Sequence, residues 1–157
     1  MKKAFVFFSL LVFSLSLSAQ DGERELIDKY CSLLVNDLLE RAEGYLKDDT
    51  WESPEEGGLI KNTLIGLPAS YSFEMARGDV RRMVKKHSEI SLATRWQPGY
   101  DSFYHVILEL PDRLAGIIYY SKKVNTMKVT VGRMEKTDLK KKKHRYGLIK
   151  IKSQEIY

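Results

Sequence analysis

The sequence predicts an α+β domain: an antiparallel sheet of about five or six strands packed on one long N-terminal helix, with a second short helix. Three observations predict it. Residues 103–110 set Tyr104, Val106, Leu108 and Leu110 against His105 and Glu109, and residues 127–131 set Met127, Val129 and Val131 against Lys128 and Thr130. Strict alternation of this kind belongs to a sheet with one apolar and one wetter face. Over 23–46, by contrast, apolar residues recur at three- and four-residue steps with charges between them, the period of an amphipathic helix. Finally, the breaks between the later apolar runs are short, which favours antiparallel neighbours.

The first nineteen residues read as a secretory signal peptide. Lys2 and Lys3 form a charged start, 4–17 is an apolar and serine run, and Ser18-Ala19-Gln20 offers a cleavage point. The run is too short for a spanning helix, which needs about 20 apolar residues. Residues 20–157 then form a single domain, exported to the periplasm or beyond the cell, with no transmembrane span. Without 1–19 the chain keeps 24 basic and 21 acidic residues, +3 in place of the +5 of the whole. So small an excess gives no reason to expect a nucleic-acid partner.

In the helix of 23–46, Leu26, Ile27, Tyr30, Leu33, Leu34, Leu38, Ala42 and Tyr45 make the apolar stripe, and Asp21 is the expected N-cap. Cys31 is the only cysteine, so no internal disulfide exists, and its place within the stripe predicts a buried, inert thiol. Residues 48–58 carry five carboxylates, a proline and two glycines and read as a solvated acidic loop anchored by Trp51. Calcium-loop ligand spacing is absent from it. Residues 59–68 are apolar and end in a Gly66-Leu67-Pro68 turn, in either a short strand or an irregular buried segment.

Tyr71, Phe73 and Met75 alternate with Ser72 and Glu74, which reads as a strand over 70–75. Asp79 is the expected cap of a short helix through His87, with Val80, Met83 and Val84 inward. Strands are expected over 89–96, 102–110, 114–121, 126–134 and 146–152. Turns at Gln97-Pro98-Gly99, Pro111-Asp112-Arg113 and 123–125 separate the middle ones. Residues 140–145 form a basic block at an exposed hairpin end.

No phosphate loop, dinucleotide fingerprint, HExxH or serine elbow occurs, so no cofactor is expected. His87, His105 and His144 fall on separate elements, and no metal site is expected. The acid–base candidates are His105 with Asp101 or Glu109. His105 and Glu109 lie about 13 Å apart along one strand at roughly 3.3 Å per residue, so a dyad needs a residue from a neighbouring strand. Six aromatics crowd into 96–120, and Trp96, Tyr104, Tyr119 and Tyr120 are the candidate ligand-binding residues. Core packing of a sheet is the default account of them, and Tyr119 and Tyr120 must point to opposite faces. Arg81, Arg82, Lys85, Lys141 and Lys142 are the candidate anion-binding groups. Arg77-Gly78-Asp79 spells an adhesion tripeptide, which the expected turn and helix cap explain.

The signal-like start, Leu17-Ser18-Ala19-Gln20, then a helix and a run of strands, resembles small exported bacterial domains. The order helix, strand, short helix, long strands is similar to the NTF2-like arrangement, in which a curved sheet wraps helices around a pocket, and more loosely to the cystatin-like layout. Two functional classes follow. One is a non-enzymatic binding or interaction module for a small molecule, glycan or protein, using the aromatic sheet face or a helix–sheet pocket. The other, implied by the NTF2-like resemblance, is a small hydrolase or isomerase with His105 as base.

Overall fold

A computed structural model describes residues 2–53, 58–99 and 103–133, with side chains described from residue 21. The strand expected over 146–152, the basic block of 140–145 with Lys141 and Lys142, and Asp101 lie outside the described residues. The elements run α1 (Lys2–Ala42), β1 (Tyr45–Glu52), β2 (Ile60–Gly66), α2 (Phe73–Lys86), β3 (Ser91–Leu92), β4 (Gln97–Pro98), β5 (Phe103–Glu109), β6 (Leu114–Ser121) and β7 (Thr126–Arg133). Among the described residues the strands form one antiparallel sheet of order β1-β2-β7-β6-β5-β3, with β4 paired to β5 as well. The α+β architecture is therefore the one expected. No helix among the described residues is long and apolar enough to cross a membrane.

α1 lies across the sheet through Ile27, Cys31, Leu34 and Leu38, all fully buried, with Tyr30, Val35 and Ala42 beside them. Its period is the expected one but both ends differ. The helix begins at Lys2, so Asp21 sits within it and caps nothing; no proline and no glycine before Gly22 interrupts the preceding residues. It stops at Ala42, four residues early. Glu43 takes a left-handed φ of 51°, and the Gly44 amide donates back to the Leu39 carbonyl at 3.1 Å. A Cβ on Gly44 would meet the Gly66 carbonyl oxygen at 2.7 Å, so only glycine lets the chain turn into β1 this closely.

That turn corrects the acidic loop. Residues 48–52 are the second half of β1, paired with β2 from Asp48↔Leu64 to Glu52↔Ile60 beyond a bulge at Leu46/Asp48. Among the described strands β1 is an outer one, and its exposed charges cost nothing in water and disfavour pairing of that edge with other chains. An edge strand shows no apolar alternation, which is why its sequence looked like a loop. Trp51 does anchor it, packed on the main core. The undecided segment after it is β2, buried on both faces.

The expected strand over 70–75 is the start of a helix. Ser72, extended, accepts the Met75 amide on its hydroxyl at 3.2 Å, and α2 begins at Phe73. Asp79 is thus a residue of the helix middle, not its cap. Its carboxylate is buried and accepts from the Tyr71 hydroxyl at 2.7 Å and Arg82 at 2.6 Å. The tripeptide at 77–79 is helical, with its aspartate turned inward.

β5, β6 and β7 form the expected meander, with Asp112, Arg113 and Asn125 supplying the left-handed turn residues. Gly116 lies under α1, where an added Cβ would come within 3.2 Å of Leu34 Cδ1. Val106, Leu108, Ile118, Tyr120, Met127, Val129 and Val131 face both helices in the main core. The other face holds His105, Lys128 and Thr130, and also a small apolar cluster of Ile107, Ile117 and Tyr119 against Ala93. Tyr119 and Tyr120 do point to opposite faces.

Candidate functional site

The strand expected over 89–96 survives only as Ser91–Leu92, paired with Glu109 and Leu108. Thr94 ends it: its hydroxyl accepts the Ile107 amide at 3.1 Å while Ala93 donates to the Ile107 carbonyl at 2.8 Å. The chain then swings away and returns as β4, where Gln97 and Pro98 pair with His105 and Tyr104. Gln97 and Pro98, expected in a turn, are therefore strand. A residue without an amide hydrogen is tolerated on such an edge.

The detour opens a groove of about 800 Å³. Phe73, Arg77, Val80 and Arg81 of α2 form one wall, the segment 92–98 the other, and Tyr104 and Val106 of β5 the floor. The helical spacing i, i+4, i+7, i+8 puts the four α2 residues on one stripe. Phe73 holds the site together. Its ring stacks on Tyr104 at 4.0 Å and 20°, meets Trp96 edge-on at 5.4 Å and 89°, and lies 5.8 Å from the Tyr120 ring behind it.

The start of α2 is fixed from below. The Tyr120 hydroxyl donates to the Tyr71 carbonyl at 3.2 Å, Lys122 donates to the carbonyls of Ala69 and Tyr71, and the Leu67 amide reaches Asn125 O at 2.9 Å. Burial and the neighbouring Asp79 push the Tyr71 hydroxyl far above its ordinary range, so it stays a donor. At the other end, Asp37 of α1 accepts from Arg41 and His87 and lies 3.7 Å from Lys86. Burial works to raise its pKa, but the bonds from Arg41 and His87 outweigh it and hold the carboxyl below the usual range.

Among the described residues the groove is electrostatically one-sided, since three arginines and no carboxylate line it. Arg77 pairs with Glu74 at 3.3 Å, its guanidinium 5.8 Å from the Phe73 ring. Arg81 and Arg95 are exposed and make no hydrogen bond or ion pair among the described residues.

The residues picked out from sequence are thus divided. Trp96, Tyr104 and Arg81 share the groove. Tyr120 lies behind it in the core, and Tyr119 lies on the opposite face, where burial pushes its hydroxyl up to about 12. Arg82 is taken by Asp79, and Lys85 is exposed outside the groove. His105 is on the Tyr119 side, 6.1 Å from that ring, with its pKa lowered by burial. No described carboxylate bonds to it, and Glu109 pairs with Ala115 and Ser91 farther along the strand. Among the described residues no group of three or more His, Cys, Asp or Glu could hold a metal ion.

Two groove residues carried no readable signal. Phe73 was hidden in an apparent strand, and Arg95 is one arginine beside a tryptophan in an apparent strand. Only knowing that 93–96 leaves the sheet brings them together.

Compared with known proteins, the chain matches no family model, no curated protein and no solved structure.

Proposed function

We propose that the chain is an exported, non-enzymatic binding module whose ligand sits in the groove between α2 and segment 92–98. One observation carries this reading: an aromatic-floored groove of about 800 Å³ with two guanidiniums, Arg81 and Arg95, that have no partner among the described residues. Ligand sites are typically about 300–1,000 Å³, mostly apolar, with a few polar groups converging on them. Arg82 and Arg41, by contrast, are compensated by Asp79 and Asp37. Export rests on the N-terminal run of 1–19 and is part of the proposal.

The test uses the neutral fluorescent probe N-phenyl-1-naphthylamine with the full chain carrying Trp51→Phe, so that Trp96 is the sole tryptophan. Binding in the groove quenches Trp96 by energy transfer to the probe, and Tyr104→Ala weakens it roughly tenfold through lost ring contact. Probe emission that stays at its free-solution level, or that ignores Tyr104→Ala, would overturn the reading.

A further inference from the structure

We infer, on the footing of the binding-module reading, that the groove selects a small organic carboxylate with a flat apolar body. Four arginines belong to α2 or to the segment facing it, and two are already committed. Arg82 bonds to Asp79 at 2.6 Å, and Arg77 pairs with Glu74 while lying over the Phe73 ring. Arg81 and Arg95 remain, one on each wall, and both line the groove.

A guanidinium beside an apolar groove hinders a neutral ligand, because seating that ligand strips water from the charge and returns nothing. Among the described lining residues there is no acid, so the compensating charge arrives with the ligand. The planar fork of arginine fits the two oxygens of a carboxylate in a bidentate pair. The same fork also fits a phosphate, which is therefore the competing anion in the test. The rest of the lining sets the body of the ligand. Trp96 and Tyr104 are half-buried, so each keeps part of its ring available, and Leu92, Ala93, Val80 and Val106 add apolar surface.

Displacement of N-phenyl-1-naphthylamine by three compounds of one ring system tests this: 1-naphthoate, 1-naphthalenemethanol and 1-naphthyl phosphate. The carboxylate is expected to displace the probe at a roughly tenfold lower concentration than the alcohol, the worth of one charge-assisted pair. That preference is expected to disappear in the double variant Arg81→Gln/Arg95→Gln while the bare probe still binds. It is also expected to stay flat between about pH 6 and 9, because arginine keeps its charge throughout.

Equal displacement by acid and alcohol overturns the carboxylate assignment and leaves the binding module standing. A preference that survives in the double variant overturns the role of these two arginines. Tighter displacement by the phosphate overturns the choice of anion. Failure of the probe itself to bind removes the binding-module reading and this inference with it. Both arginines are exposed, so the variants keep the fold, and unchanged melting temperatures confirm it.

Discussion

The two tryptophans sit in superficially similar surroundings, each half-buried against the main core beside cationic side chains. At Trp51 the Arg24 guanidinium lies 4.5 Å and the Lys61 ammonium 5.3 Å from the ring centre. Lys61 is only 7 % exposed, yet it is fully answered, bonding to Asp28 and lying 3.5 Å from Asp49. Burial alone would lower its pKa, and the two carboxylates more than reverse that. At Trp96 the cations that share its groove, Arg81 and Arg95, face no acid among the described lining residues. A cation that the protein has neutralised is part of the fold's own construction. A cation left unanswered beside a cavity is available to something else.

The largest effect that sharpens this contrast belongs to the compensated site. Lys61→Met removes the charge that Asp28 and Asp49 share. Those acids are 52 % and 42 % exposed, so water recovers much of their solvation, and the cost is about 1–2 kcal/mol, below that of breaking a fully buried pair. A denaturant midpoint measures it, with probe binding in the groove unchanged. A stability loss under about 0.5 kcal/mol, the range of ordinary surface changes, would put Lys61 in the same class as the groove arginines and break the comparison.

A smaller effect comes from Asp37, which joins α1 to the end of α2 that carries His87. Its folded pKa is depressed, so the unfolded chain takes up the proton first as acid is added. The stabilisation is complete above the ordinary carboxylate value of 3.8 and is lost as pH falls through the lower folded value. Asp37→Asn is expected to cost about 1 kcal/mol near pH 7, where charge-assisted bonds to partly exposed partners are lost. Because the asparagine does not titrate, wild type and variant converge in melting temperature as pH drops below about 4. Curves that stay parallel down to about pH 2 would show that Asp37 contributes no pH-linked stability.

Legibility followed burial. Strands with one face in the core were readable to within a residue or two, as with Val106, Leu108, Met127 and Val129, because burial imposes period two on their sequence. The stripe of α1 was readable for the same reason, and Cys31 is buried and unpaired as its place in the stripe required; burial pushes its thiol pKa up. Elements at the margin were not readable. β1 has water on one side, so Asp48, Asp49 and Glu52 met no constraint that would make them look like strand. Phe73 and Tyr71 alternate as strand residues do, yet the cap at Ser72, a single hydroxyl-to-amide bond, turns them into the start of a helix. The site shows the same division. Trp96, Tyr104 and Arg81 could be picked out by residue type, whereas their meeting depends on Thr94 bonding to Ile107 and forcing the detour, a tertiary event without local signature.

The smallest expected effect is the most discriminating, because it is a near-zero with a reason behind it. Arg81→Gln and Arg95→Gln each remove a charge that bonds to nothing described, so each is expected to leave unfolding free energy within about 0.5 kcal/mol of wild type. Stability could even rise slightly, since Arg81 stands among Arg77, Arg82, Lys85 and Lys86 on one helix and like charges three or four residues apart repel. A guanidinium that costs the fold nothing to remove, and adds to repulsion while present, is poorly explained by folding alone. Raising salt tests the source of any gain. Repulsion along the helix is screened beyond about 10 Å at 0.1 M, so a gain that fades with salt is electrostatic. A loss above about 1 kcal/mol in either variant, independent of salt, would show packing by the arginine's stem. The groove arginines would then be structural after all, and the distinction between the two tryptophan sites would collapse.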